Sequence, residues 1–279
     1  IYGQALQMNA RSTSTGAAQN WGNAAVVAAF TSKNVQLADG TVVELRKPEI
    51  AFEGPTPEAY SVRSAQPLIG MGLLEAIDDE TILARVRTTP DADGVLGTAN
   101  YAYDPETGDV RLGRYGWKAG KVSLRHQVTN AALLDMAVTS SVYPKLACLA
   151  GPQQCDPATA EPGLPDEAVT AMTQYLHLLA VPAQRSVVSG FPKGVSPLTY
   201  LDVDPAKIAA GEKVFKDIRC VTCHVSEVKT SARSEFDEVR NQTVKPYTDL
   251  LLHDMGPGLA DNFTEGLASG SMWRTPALW

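Results

Sequence analysis

Apolar positions along the chain predict a first hundred residues of loops and short strands, followed by a series of helices. In VQLADGTVVEL, apolar runs flank Asp39-Gly40, a turn pair suited to a hairpin. Pro48, Pro55, Pro57 and Pro67 then break the chain repeatedly. PLIGMGLLEAIDDETILARV reads as a short helix with Leu73, Leu74 and Ile77 on one apolar face. Met71 shares their spacing and belongs to the core rather than to a ligand set. SLRHQVTNAALLDMAV predicts a helix starting near Ser123. PDEAVTAMTQYLHLLAV predicts another, capped by Asp166, with Val169, Met172, Leu176 and Leu179 as its buried stripe and Pro182 ending it. His177, near that helix end, reads as a packed or dipole-stabilised histidine.

The Pro- and Gly-punctuated segment VSGFPKGVSPLTYLDVD suggests a boundary near residue 200. A new helix follows, with Asp204 as N-cap and Pro205 in the first position. Ile208, Gly211 and Phe215 share a face. Gly211 costs helix propensity, which points to close approach by a helix or a flat ligand. This helix delivers the chain into Cys220.

Composition narrows the function classes. The 279 residues are 44% hydrophobic and 20% charged, as a folded core requires. Lys plus Arg number 24 against 31 Asp plus Glu, a net charge of -7 without a basic tract. Nucleic acid is therefore an unsuitable partner, and nothing attracts an anionic membrane. No apolar run approaches the roughly 20 residues of a membrane span. With Ile1 at one end and Trp279 at the other, the chain is expected to be part of a longer product.

Cys148 and Cys155 enclose the short polar segment LAGPQQ. A disulfide closing a surface loop is the preferred reading, ahead of free thiols and metal ligation, and it implies an oxidising compartment. Cys220 and Cys223 carry the strongest signal. CVTCH (220–224) is the covalent haem c attachment signature: one turn lets both sulfurs reach the two vinyl groups, and His224 supplies the proximal nitrogen to iron. A zinc site would need a second ligand pair, and a redox dithiol would need a preceding strand in an α/β pattern; both are missing. His253, Met255 and Met272 follow the motif and are candidates for the sixth iron position. Packing against the haem edge remains the alternative for Met255 and packing in the core for Met272.

Several further pieces carry a resemblance: PLIGMGLLEAI (67–77), GRYGWKAG (113–120), YLHLLAVPAQR (175–185), PYTDLLLHDMGPGLAD (246–261) and MWRTPALW (272–279). With CVTCH, they make the chain similar to the di-haem oxidoreductase family of bacterial c-type cytochromes, also labelled thiol oxidoreductases. That family is related to di-haem cytochrome c peroxidases and MauG-type enzymes. The resemblance implies a mainly α fold of cytochrome-c-like haem domains with long loops and a small β-hairpin insertion. Residues 1–200 would be the remainder of an N-terminal region lacking its CxxCH, and residues 201–279 an incomplete C-terminal haem domain. The resemblance further implies one haem c on this chain and a second on an upstream segment, and it admits calcium.

By the same resemblance, Gln127 and Asp135 would orient and protonate peroxide above the upstream haem; Trp117 is a candidate for the gap between redox centres, where an indole helps electron tunnelling. Ordinary helix-surface, solvated and packing roles remain the alternatives for these three. Arg114, Lys118 and Arg125 either pair with haem propionates or face water. The leading functional expectation is electron transfer coupled to peroxide reduction or to oxidation of a partner, in the periplasm or another exported space. The partners would be a redox protein or small electron donor and a peroxide-like oxidant. A non-catalytic electron-carrier domain and a module with a structural haem are the alternatives.

Overall fold

A computed structural model describes residues 25–52, 60–136, 138–145, 161–182 and 204–279. The chain divides into two units, residues 1–60 with 128–169 and residues 61–127 with 170–279.

In the first unit, β1 (Ala25–Gln36) and β2 (Val42–Phe52) pair antiparallel, with Val35 opposite Val43 and a bulge near Ala29. The turn is the one predicted. Gly40, at φ 88°, donates its N–H to the Leu37 carbonyl, and Asp39 Oδ1 accepts from Thr41 N–H. The hairpin is long rather than small, and most of its described side chains are exposed.

The second unit begins with α1 (Met71–Glu75) and α2 (Asp79–Leu83), each five residues long. Short hairpins β3/β4 (Tyr101–Tyr103, Val110–Leu112), β5/β6 (Val228–Lys229, Thr243–Val244) and β7/β8 (Leu252–Asp254, Met272–Arg274) occupy much of the rest. α3 (Leu124–Met136) and α4 (Asp166–Leu178) contribute residues to both units. α5 (Pro205–Asp217) leads into the CxxCH segment.

The mainly α expectation is therefore wrong. The described chain is 26% helical with 20% strand in small antiparallel ladders. The cause is local: Gly70 holds the entry to α1 in the left-handed region at φ 69°, and α1 and α2 end after about one turn each. The apolar residues of this stretch still reach the core. Leu74, Ile77 and Ile82 join Leu112, Val228, Leu250 and Leu251 in one buried cluster, and Met71 packs against it as core.

Helix starts follow local chemistry. Ser123 Oγ accepts from His126 N–H at the head of α3, and Asp204 caps α5 through Ala206 N–H, with Pro205 in the first position. Asp166, expected as a cap, is instead the first residue of α4. Val169 is fully buried, Leu176 and Leu179 are half-buried, and Met172 is exposed, so the expected stripe is only partly covered. His177 packs against Phe236 with ring centroids 4.8 Å apart.

Two glycines of the second unit contrast. A Cβ on Gly72 would fall 2.0 Å from the backbone oxygen of His177, so α1 meets that backbone too closely for any other residue. A Cβ on Gly211 would meet nothing within 4 Å among the described residues, and the expected close approach is not seen there. Gly72→Ala is expected to destabilise by about 2–3 kcal/mol through overpacking. Gly211→Ala should stabilise by about 0.5–1 kcal/mol through helix propensity. Urea unfolding midpoints of the two variants should move in opposite directions.

Candidate functional site

α5 ends at Asp217, and Arg219, in the left-handed region at φ 68°, turns the chain into a 3-10 turn at Cys220–Thr222. Cys220, Cys223 and His224 are half-buried and line one cavity of about 570 Å³, a size that suits a bound organic group. Nδ1 of His224 lies 2.6 Å from the Tyr247 carbonyl. A carbonyl only accepts, so Nδ1 carries the proton and Nε2 keeps its lone pair for a metal. Phe215 of α5 sets the imidazole from the side, edge-on to both His224 and Tyr247.

The wall opposite the motif comes from β7 and β8. Their register places His253 across from Trp273, on the same face of the ladder. Trp117 meets Trp273 edge-on, with centroids 6.2 Å apart, and its indole N–H donates to the Ser64 carbonyl at 2.7 Å. Val62, Val95, Met255 and Leu259 supply apolar surface to the same cavity. Of the four histidines, only His224 and His253 line it.

His253 belongs to a buried pair. Nε2 donates to Asp249 Oδ2 at 2.7 Å, and Nδ1 lies 3.8 Å from Cys223 Sγ. Burial pushes the imidazole down, but hydrogen bonds to Asp249 and Cys223 outweigh it and raise His253 to about 10. Asp249 thus holds a charged imidazole beside the motif.

Behind Trp273 sits a dense ionic cluster. Lys118, wholly buried, donates to the Ser269 and Met272 carbonyls at 2.8 and 2.9 Å and pairs with Asp261 at 3.1 Å. Its Nζ lies 4.3 Å from the Trp273 ring centroid. Arg63 pairs with Asp261 at 2.8 Å and with Glu265. Burial pushes the Asp261 carboxyl up, but hydrogen bonds from Ser61, Phe263 N–H, Arg63 and Lys118 bring it down to about 2.

The sequence candidates are distributed unevenly around this cavity. Cys220, Cys223, His224, Trp117, His253 and Met255 all line it. Met272 does not; it packs against Ala119, Leu252 and Ala268. Gln127 is half-buried and Asp135 exposed on α3, and neither is in the wall. Arg114 donates to the carbonyls of Leu74, Glu75 and Ile77 and pairs with Asp79. Arg125 pairs with Glu106 at 2.8 Å. Cys148 and Cys155 lie outside the described residues. Sequence reasoning missed Trp273, Arg274 and Asp249 as parts of the site, although MWRTPALW and PYTDLLLHDM contain them. Among the described residues, no group of three or more His, Cys, Asp or Glu is arranged to hold a metal ion, and no helix is long and apolar enough to cross a membrane.

This donor set suits a planar macrocycle: two adjacent thiols at one edge, an imidazole with its lone pair free, and apolar and aromatic surface around them. Residues 7–279 match the family model described as "Di-haem oxidoreductase, putative peroxidase". No curated protein and no solved structure matches the chain significantly.

The Asp261 cluster predicts acid sensitivity. A folded-state value near 2 lies below the ordinary carboxylate value, so its stabilisation is complete above about pH 4 and lost as pH falls toward 2. Asp261→Asn should cost about 1–2 kcal/mol at neutral pH. Chemical denaturation should show that difference shrinking between pH 4 and pH 2.

Proposed function

The chain belongs to the di-haem oxidoreductase family; from that premise we propose that it carries a haem c joined to Cys220 and Cys223, with His224 as proximal ligand, and that this centre transfers electrons. The observation that carries the reading is the fixed tautomer of His224 in the wall of an apolar cavity that both cysteines share. Bound there, haem supplies an iron that takes up and releases one electron at a time.

The chain's own residues divide the remaining work. Tyr247 fixes the proximal imidazole through its carbonyl, and Phe215 prevents the ring from turning. Trp117 and Trp273 exclude water and put two indoles against the cavity. Met255, in the wall, is the proposed sixth ligand in preference to Met272. Six-coordinate ligation would make this an electron-transferring centre and would place peroxide reduction at a second haem carried outside these residues. Gln127 and Asp135 are the proposed peroxide-handling pair of that second centre. We further propose an exported location, because haem c is attached outside the cytoplasm.

Two measurements test this. Intact mass under denaturing conditions should show one haem on this chain, and acid-acetone should not extract it. Cys220→Ala and Cys223→Ala should each remove one thioether link, and loss of all colour from the wild type on extraction would sink the attachment. In the protein carrying both haems, Asp135→Asn should slow peroxide turnover by roughly 10²- to 10⁴-fold while leaving the Cys220 haem spectrum unchanged. Normal turnover in that variant would remove Asp135 from the mechanism.

A further inference from the structure

Three arginines stand in the wall of the Cys220 cavity, and their charges are met differently. Arg63 is paired with Asp261 and Glu265, and Arg219 with Asp93. Arg274 has no carboxylate within 4.0 Å among the described residues, although it is the most buried of the three, at 3% exposure. Its hydrogen bonds run to neutral oxygens: Nε to Gly116 O at 2.9 Å, Nη1 to Thr275 O at 3.0 Å and Nη2 to Gln66 Oε1 at 2.7 Å. A guanidinium has five N–H donors, so these three bonds leave two without an acceptor.

A second observation lies beside it. Gln66, whose carboxamide oxygen Arg274 holds, has a buried Nε2 with no hydrogen-bond partner among the described residues. A buried cation with no carboxylate in direct contact and a buried orphan donor are each costly. An acceptor with negative charge at Arg274 would relieve the first of these, and Gln66 marks the guanidinium as held in place without being neutralised. Burial pushes the Arg274 guanidinium down to about 10, and the Tyr115 hydroxyl and the more distant Asp249 carboxylate, itself bound to His253, offset that only in part.

We propose that Arg274, held in place by the Gln66 carboxamide, forms a carboxylate subsite in the wall of this cavity, filled by a propionate side chain of the haem. The assignment rests on the haem reading above. A carboxylate offers up to four acceptor positions and meets a guanidinium in a planar fork, so it answers the open N–H donors and the unbalanced charge together. A neutral ligand would answer the donors alone. With Arg274 beside it, the propionate's negative charge is compensated, and the local positive charge favours the reduced iron.

The test is the midpoint potential of the haem-loaded chain by spectroelectrochemistry. Arg274→Gln should shift it downward with the haem still covalently attached, and Arg274→Lys should stay nearer the wild type. Gln66→Leu, which spares the other Arg274 bonds, should move it the same way by less and keeps the test open if Arg274→Gln does not fold. Wild-type potentials in Arg274→Gln and Gln66→Leu with haem attached would overturn the subsite. Acetate titrated into the wild type should leave spectrum and potential unchanged. A saturable response lost in Arg274→Gln would assign the subsite to a free carboxylate and overturn the propionate. A wild-type chain with no covalent haem would instead overturn the haem reading on which the subsite rests.

Discussion

A buried carbonyl must find a donor, and where regular structure is sparse that demand falls on side chains. In residues 61–127 and 170–279, long cationic side chains answer it. Arg114 gathers three carbonyls around the end of α1, Lys118 holds the 269–272 loop, and Arg274 binds Gly116 and Thr275. Asn100 works in the same way: its amide donates to the Lys118 and Glu265 carbonyls, and its oxygen accepts from Tyr101 and Leu267 N–H. Glu75 serves the opposite need, accepting from Leu124 N–H at the head of α3 and from the Tyr115 hydroxyl. These charged and amide groups do for loops what ladders do for sheets.

The cavity is a product of that arrangement. β8 is held to the GRYGWKAG turn by Arg274 N–H donating to the Trp117 carbonyl, and Thr275 N–H ties the following segment to Leu251. With β8 fixed, its register against β7 brings His253 and Trp273 to one face, while Tyr247, a few residues earlier, fixes His224. Segments far apart in the sequence therefore converge on the CxxCH turn.

Much of this was legible where the chemistry is local. CVTCH, the Ser123 and Asp204 helix starts, the Asp39-Gly40 turn and the core role of Met71 each depend on a few neighbouring residues. The helical content was overestimated because an apolar stripe is necessary for a helix but does not set its length; α1 and α2 stop after about a turn each despite their leucines. Arg114, Lys118 and Arg125 looked like surface or propionate partners because a sequence does not reveal which carbonyl or carboxylate a long side chain will meet. Gly72 gave no warning of its contact with the His177 backbone, and Gly211 suggested a contact that the described residues do not make. Arg274 was hidden for the same reason: its meaning lies in its hydrogen bonds to neutral oxygens, a fact of three-dimensional neighbourhood.

Bonds that read the main chain are indifferent to the side chains around them. Ser269 and Met272 could be exchanged for many residues and still present the carbonyls that Lys118 binds, whereas replacing Lys118 by a neutral residue takes the ammonium from both and leaves Asp261 to Arg63, Ser61 and the Phe263 N–H. Tolerance to substitution is thus split unevenly: wide in the loops that are held, narrow at the few cations that hold them. Chains built on this plan can diversify their loops and rims while the anchoring charges, rather than the apolar core alone, keep the cavity's outline.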